Sequence, residues 1–276
     1  MDININWYPG HMKKTTEAIR TNLKLVDIVY ELLDSRIPYS SQNPSINSIL
    51  ENKQRIIILN KSDLANPNAN NLWKKHFNNL DTECVFLNSL NGEGIIDLIS
   101  LTKKIVNKRS IKVMIVGIPN VGKSTLINRL SNRKSTKTGN KPGITKSVQW
   151  INAGNGIYLL DTPGVLWPKF EEVNVGLNLA FVGSIKDEVI DTTMLSLKLV
   201  EKLNDIDKNI LIKRYNIDKN LENSYNILEN IAKRRGCISK GSNLDIEKAS
   251  NIIIDDFRKG LLGKITLEFP NEVNHE

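Results

Sequence analysis

Cysteine is scarce in this chain: 276 residues hold two, Cys84 and Cys237. Two cannot build a disulfide framework or a zinc cluster, and a reducing cytosol is the compartment they fit. Long hydrophobic runs are also missing. Those present, such as Ile56-Ile57-Ile58-Leu59, fall far short of the ~20 residues a membrane span needs. The opening residues Met1-Asp2-Ile3-Asn4 lack a basic segment followed by an apolar one. No secretory signal is expected, and a cytoplasmic protein is. Internal repeats and low-complexity tracts are absent as well.

What is present is ordinary globular material. The chain is 40% hydrophobic and 25% charged, which excludes a mostly disordered polymer. At roughly 100–200 residues per domain, one large or two modest domains are expected. Basic residues outnumber acidic ones 38 to 30, for a net charge of +8. Such an excess suits a polyanionic partner. Abundant Ile, Asn and Lys, as in an AT-rich genome, would produce part of the same excess, so charge alone does not decide.

Short apolar runs alternate with helical stretches over the first two thirds. The runs are Val26–Leu33, Arg55–Leu59, Glu83–Leu87, Lys112–Val116, Val148–Ile151 and Ile157–Leu160. Rich in Val and Ile and bounded by turn residues or charges, they read as buried strands of a mainly parallel sheet with crossover helices. Residues 12–25 read as a helix, with Ile19, Leu23 and Val26 on one face and Lys13, Lys14, Arg20 and Lys24 mostly elsewhere. Beyond about Val175 the pattern turns helical: Leu195, Leu199, Leu203; Ile227, Leu228, Ile231; Ile246, Ala249, Ile253, Phe257. The expected division is residues 1–174 and a helical domain over 175–276, ending in a short strand or extended tail at Ile265–Phe269.

The strongest chemical signal is Gly117-Ile118-Pro119-Asn120-Val121-Gly122-Lys123-Ser124. It follows the apolar run Val113–Val116 and precedes the helix-compatible Thr125–Leu130. Strand, glycine-rich loop and helix in that order make a phosphate loop. Glycines let backbone N–H groups converge on phosphate oxygens, and the helix N-terminus adds a favourable dipole. Lys123 is expected at the β- and γ-phosphates and the Ser124 hydroxyl on Mg²⁺, with Asn120, Val121, Gly122 and Thr125 lining the phosphates.

Asn60-Lys61-Ser62-Asp63 follows the run Ile56–Leu59. The Asp63 carboxylate suits guanine's N1–H and exocyclic amine; adenine lacks matching donors, and an unpaired buried carboxylate is costly. Asn60 is expected on the other base edge and the Lys61 stem over the ring. Beside a phosphate loop, this points to GTP and GDP and away from a P-loop kinase. Asp161-Thr162-Pro163-Gly164 offers Asp161 as a water-bridged Mg²⁺ ligand and the Gly164 N–H as γ-phosphate sensor. Between them, Pro142-Gly143-Ile144-Thr145 supplies Thr145 to complete the Mg²⁺ shell. Asn88-Ser89-Leu90-Asn91-Gly92 fits a loop whose backbone N–H groups touch the guanine carbonyl, with Leu90 where alanine is usual.

These pieces are complete but rotated. The base-reading segments at 60–63 and 88–92 precede the phosphate loop at 117–124; in an ordinary small GTPase they follow it. A site tolerates this if the old termini are joined and new ones open elsewhere. The new ends then fall next to the switch region, and residues 165–276 continue from it, so nucleotide state is expected to couple to the helical domain.

On these motifs the chain resembles the circularly permuted GTPases that act in ribosome assembly. The likeness runs along nearly the whole chain and includes Trp7-Tyr8-Pro9-Gly10-His11-Met12, Asp34-Ser35-Arg36-Ile37-Pro38, Asp161–Lys169 and Phe257-Arg258-Lys259-Gly260-Leu261-Leu262-Gly263. The resemblance implies a circularly permuted Ras-like α/β fold with a small helical domain. It also implies GTP hydrolysis coupled to late maturation of the large ribosomal subunit, with ribosomal RNA bound near Lys233-Arg234-Arg235 and Arg258-Lys259. Lys13 and Lys14 are a second RNA-contact candidate; a solvated basic face is the alternative. A membrane or DNA partner is not expected, and a monomer is expected off the ribosome.

Ras-like enzymes orient the attacking water with a glutamine shortly after the switch glycine. Here Val165 and Leu166 stand there. His11 is the candidate to supply the missing polar contact, since histidine relays protons near neutral pH. His76 and His275 read as surface residues. Asn120 is a candidate ligand for K⁺ beside the phosphates. Two functions remain open: a particle-activated GTPase, and an RNA-binding assembly scaffold in which GTP is structural and hydrolysis incidental.

Overall fold

The computed structural model describes residues 11–50, 53–131, 150–167, 170, 172–221, 223–239 and 241–272, with the side chains of residues 11–13 and 272 outside that description. The motif Pro142–Thr145 lies outside it entirely, as do residues 7–10 and His275.

A six-stranded sheet has the order β3-β2-β1-β4-β6-β5. In chain order the strands are β1 (Ile28–Asp34), β2 (Arg55–Asn60), β3 (Glu83–Leu87), β4 (Ile111–Gly117), β5 (Trp150–Asn152) and β6 (Ile157–Asp161). Five are mutually parallel; β5 alone runs antiparallel, on the edge beside β6. The expected strands are all found, displaced by at most two residues at either end where described.

A parallel sheet needs helices on both faces. One face carries α1 (His11–Asn22), α2 (Pro44–Leu50) and α3 (Pro67–Asn79). Here Ile19, Val26, Val29, Ile46, Leu50, Met114, Val116, Leu160 and Val165 form one cluster. Leu33, Ile57, Leu59, Trp73, Phe77 and Cys84 form another. The opposite face takes α4 (Ile95–Val106), where the buried Tyr30 and Thr102 hydroxyls meet at 2.6 Å. His76 is not a plain surface residue: it is half-buried, its ring edge-on to Trp73 at 5.4 Å. The helix-periodic spacing Trp73–Phe77 aligns it with that aromatic stripe.

Parallel strands put all their carboxyl ends at one edge, where open α/β sheets bind ligands. Register fixes which residues meet there. Asp34 lies opposite Asn60, Asn60 opposite Leu87, Leu32 opposite Gly117 and Ile115 opposite Asp161. Segments remote in sequence therefore arrive side by side, led by α5 (Lys123–Leu130) behind the phosphate loop.

The second unit is helical: α6 (Val173–Phe181), α7 (Thr192–Asp207), α8 (Asn209–Tyr215), α9 (Ser224–Arg234) and α10 (Ile246–Arg258). Asp191, Asn223 and Asp245 cap α7, α9 and α10 by accepting backbone N–H groups, an arrangement worth ~1 kcal/mol each. The periodic leucines and isoleucines read from the sequence are the buried faces of α7, α9 and α10.

The units divide differently from the expected boundary at 175. Phe170–Leu267 form the helical unit, and Glu268 onward belongs with the sheet. The tail at Ile265–Phe269 forms no strand and bends at Leu267. Its return is fixed by a hydrogen bond from the Trp73 indole N–H to the Glu268 carbonyl at 2.9 Å.

Arg258 also differs from its expected part as an RNA contact. Its guanidinium donates to the Phe181 and Ala180 carbonyls at 3.0 and 2.9 Å, satisfying the end of α6, and pairs with Asp187. Lys233 and Arg234 are exposed.

Ile57 is 1% exposed within the α3-side cluster. Ile57→Ala is expected to lower unfolding stability by about 2–5 kcal/mol through lost burial and a residual cavity. Chemical denaturation with an unchanged slope is the check.

Candidate nucleotide site

The phosphate loop leaves β4 at Gly117 and enters α5 at Lys123. Gly122 has φ +106°, and a Cβ there would lie 2.3 Å from the Asn60 amide nitrogen. Only glycine lets the loop turn this close to β2. Gly164 is required by proximity as well: its Cβ would lie 2.8 Å from Pro119 backbone atoms and 2.9 Å from the Lys123 ammonium. The switch segment and the phosphate loop thus approach each other closely at Gly164 and Pro119.

Lys123 is buried, and its ammonium donates to the Gly117 and Ile118 carbonyls at 3.0 and 2.8 Å. Burial pushes its pKa down to about 8, against the opposing pull of Asp161. Burial also raises the Asp161 carboxyl, partly countered by Lys123. Asp161 ends β6, and the next residue is pinned by Thr162 Oγ1 donating to the Ile115 carbonyl at 2.5 Å. Ser124 and Thr125 sit half-buried in the first turn of α5. A hydroxyl and one carboxylate beside substrate phosphates are the hard oxygen donors Mg²⁺ favours. Such a site needs no cluster of acids, and none of three or more His, Cys, Asp or Glu that could hold a metal occurs among the described residues.

Asn60 is fully buried and works as a brace. Its Nδ2 donates to the Val121 carbonyl at 2.7 Å, and its Oδ1 accepts the Ser89 N–H at 3.1 Å. One carboxamide ties the phosphate loop, the end of β2 and the loop after β3 together. One N–H and one acceptor position of the oxygen are taken by the protein, and the second N–H remains for a base edge. The Lys61 ammonium reaches the Asn120 carbonyl at 2.9 Å and the Asp34 carboxylate at 2.9 Å. Asn88 shapes its own loop, its Oδ1 accepting from the Leu90 and Asn91 N–H groups at 3.0 and 3.3 Å. Asp63 is half-buried in the loop between β2 and α3.

Asp34 was not among the expected site residues. It is fully buried at the end of β1, opposite Asn60, and takes Arg36 through both carboxylate oxygens at 2.9 and 2.8 Å. Burial would raise its carboxyl, but Arg36 and Lys61 outweigh it and hold the pKa well below the usual carboxylate range. The sequence signal was an acid ending an apolar run two residues before an arginine.

Val165 and Leu166 are buried, and the Val165 backbone is held on both sides. Its N–H donates to the Gly117 carbonyl at 3.3 Å, and its carbonyl accepts Asn43 Nδ2 at 3.0 Å. The positions following Gly164 therefore present no side chain to a γ-phosphate water. His11 opens α1, but its side chain lies outside the described residues, and so does all of Thr145.

A polyphosphate favours charged Lys123, so nucleotide binding takes up a proton once the free enzyme has lost it. Apparent affinity for GDP is expected to be flat below about pH 7.5 and to weaken by up to about tenfold per unit above the Lys123 pKa. Fluorescence titration with labelled GDP across pH measures this; a flat profile through pH 9 contradicts it.

Comparison with known proteins agrees with this geometry. Residues 112–230 match the family described as 50S ribosome-binding GTPase. The chain is 41% identical to Ribosome biogenesis GTPase A of Bacillus licheniformis, over 98% of this chain and 99% of that one. It is 30% identical to the protein of the same name from Thermotoga maritima, over 98% and 96%. A GNP-bound crystal structure of YlqF from T. maritima superposes with a TM-score of 0.70 at 28% identity, covering 94% of this chain and all of that one. A GDP-bound YlqF structure gives 0.71 at the same identity, over 92% and 99%. With a permuted motif order and full-length relatives in agreement, the chain belongs to the ribosome biogenesis GTPase A family of circularly permuted GTP-hydrolysing proteins.

Proposed function

We propose that this GTPase is an assembly factor for the large ribosomal subunit whose turnover is switched on by the pre-ribosomal particle. The observation that carries the reading is the pairing of an intact nucleotide cradle with a switch lacking a water-orienting side chain. Lys123, Asn60, Lys61 and Asp161 are positioned at one sheet edge, while Val165 and Leu166 are buried. Such a site binds GTP well and hydrolyses it slowly until something else completes it. Relatives named for ribosome biogenesis, and the family description 50S ribosome-binding GTPase, support the particle as that partner.

The roles follow. Lys123 neutralises charge developing on the β- and γ-phosphates. Ser124, Thr145 and Asp161 hold Mg²⁺, the last through water, and the Gly164 N–H reports the γ-phosphate. Asp63 selects guanine, with Lys61 over the ring and the Asn88–Ser89 loop at its carbonyl edge. His11 relays a proton or orients water once the particle seats the N-terminal segment. Asn120, in a left-handed conformation at φ +57°, helps hold K⁺ beside the phosphates. Exposed Lys233 and Arg234 in the helical unit contact ribosomal RNA of the precursor. No described helix is long and apolar enough to cross a membrane, and the protein works as a cytoplasmic monomer between particles. The buried Val165 and Leu166 also favour a second reading, an RNA-binding scaffold with GTP as a structural ligand.

GTP hydrolysis with and without purified large subunits, in K⁺ and in Na⁺, separates the readings. Stimulation by large subunits of about 10²-fold or more is expected, stronger in K⁺, and lost in His11→Ala with GDP affinity retained. Unstimulated turnover with tight GTP binding supports the scaffold.

A further inference from the structure

We propose that Glu268, at the far end of the chain, is a positioning residue of the guanine half of the nucleotide site, acting through the 34–41 loop and Asp34. The residue is 7% exposed. One oxygen accepts the Tyr39 N–H at 2.9 Å and the Ser40 N–H at 3.1 Å, and the Ser40 hydroxyl donates to the other. The Glu268 carbonyl takes the indole N–H of Trp73, which is itself fully buried on α3. This is a built socket: a buried acid closed by backbone donors, a hydroxyl and a tryptophan.

What the socket grips leads directly to the base-side lysine. The loop turns back on itself, with Ser41 Oγ accepting the Asp34 N–H at 3.2 Å and donating to the Ile37 carbonyl at 2.7 Å. Arg36 returns to Asp34 through its backbone N–H at 3.1 Å as well as its guanidinium. Ser35 N–H reaches the Asn60 carbonyl at 2.9 Å. Asp34 then holds Lys61 at 2.9 Å, and Lys61 holds the phosphate loop at Asn120. Lys61 takes a left-handed backbone, φ +57°, which a β-carbon disfavours and which the surrounding contacts must maintain. Releasing Glu268 frees the loop that fixes Asp34, and Lys61 loses its fixed anion.

The inference rests on Asn60–Asp63 being the base-reading segment, and the experiment keeps the two apart. Release of a fluorescent GDP analogue is followed by stopped flow for wild type, Glu268→Gln, Asp34→Asn and the double variant. Glu268→Gln keeps the size but offers an N–H where an acceptor is needed. It is expected to release GDP about tenfold faster, with the Tyr39 and Ser40 amides exchanging faster with solvent. Asp34→Asn is expected to accelerate release at least as much, and the double variant to be no faster than Asp34→Asn alone, the mark of one shared route. Glu268→Asp, which keeps the charge, is expected to recover most of the wild-type rate. Faster release in Asp34→Asn with wild-type release in Glu268→Gln, or multiplicative effects in the double variant, overturns the inference. Wild-type release in Asp34→Asn overturns the base-side assignment beneath it.

Discussion

The carboxyl edge of the sheet depends on one carboxamide. Asn60 connects three segments that the chain delivers separately: the end of β2, the loop after β3 and the phosphate loop after β4. Parallel register brings these ends level but does not bind their loops together. A fully buried amide whose oxygen and nitrogen are both engaged does so, and at low dielectric such bonds are costly to break. Gly122 is the complementary half of this constraint, since any side chain there would displace the amide from its place. The end of β2, the loop after β3 and the phosphate loop are therefore tied together, and Lys61 reinforces the seam at Asn120.

Permutation makes that seam more important. In an unpermuted chain the phosphate loop comes first and the base-reading loops close the domain. Here the base-reading loops come first, and the chain leaves the sheet unit soon after the switch glycine at 164. It comes back only at Glu268, into a socket on the 34–41 loop. In sequence, the helical unit is thus inserted between the switch segment before it and the returning tail after it.

Much of this was legible in the residues. Six apolar runs became six strands because each is short, β-branched and bounded by turn formers. The segments at 60–63, 88–92, 117–124 and 161–164 come side by side because each lies at the end of a strand, and parallel strands end together. The helical unit followed from 3.6-residue periodicity. What stayed hidden were contacts across long sequence separations. Nothing local marks Glu268 as a buried acceptor 228 residues from Ser40, or Asn60 as a brace between two loops. Arg258 ends a helix within a basic-looking segment, and the family resemblance assigned it to ribosomal RNA. In the fold it is consumed by the carbonyls that end α6 and by Asp187. Asp34 lay between: an acid at the end of an apolar strand is a visible anomaly, but its partners are set only by register and turn.

The Asp34 cluster shows why such an anomaly persists. A buried carboxylate is tolerated only when paired and hydrogen-bonded, and removing one partner from such a pair commonly costs 3–5 kcal/mol, about the desolvation of the charge left behind. Asp34 has two cations, and they are not equivalent. Arg36 is local, planar and bidentate, two residues away on the same turn, and by itself it neutralises the carboxylate. Lys61 is therefore the surplus charge, partly exposed and also bonded to the phosphate loop. Arg36 bears most of the desolvation burden, which leaves Asp34 able to orient Lys61 without being neutralised by it. The Lys61 side chain is therefore fixed at its far end, and the entropy of ordering it has been spent in folding.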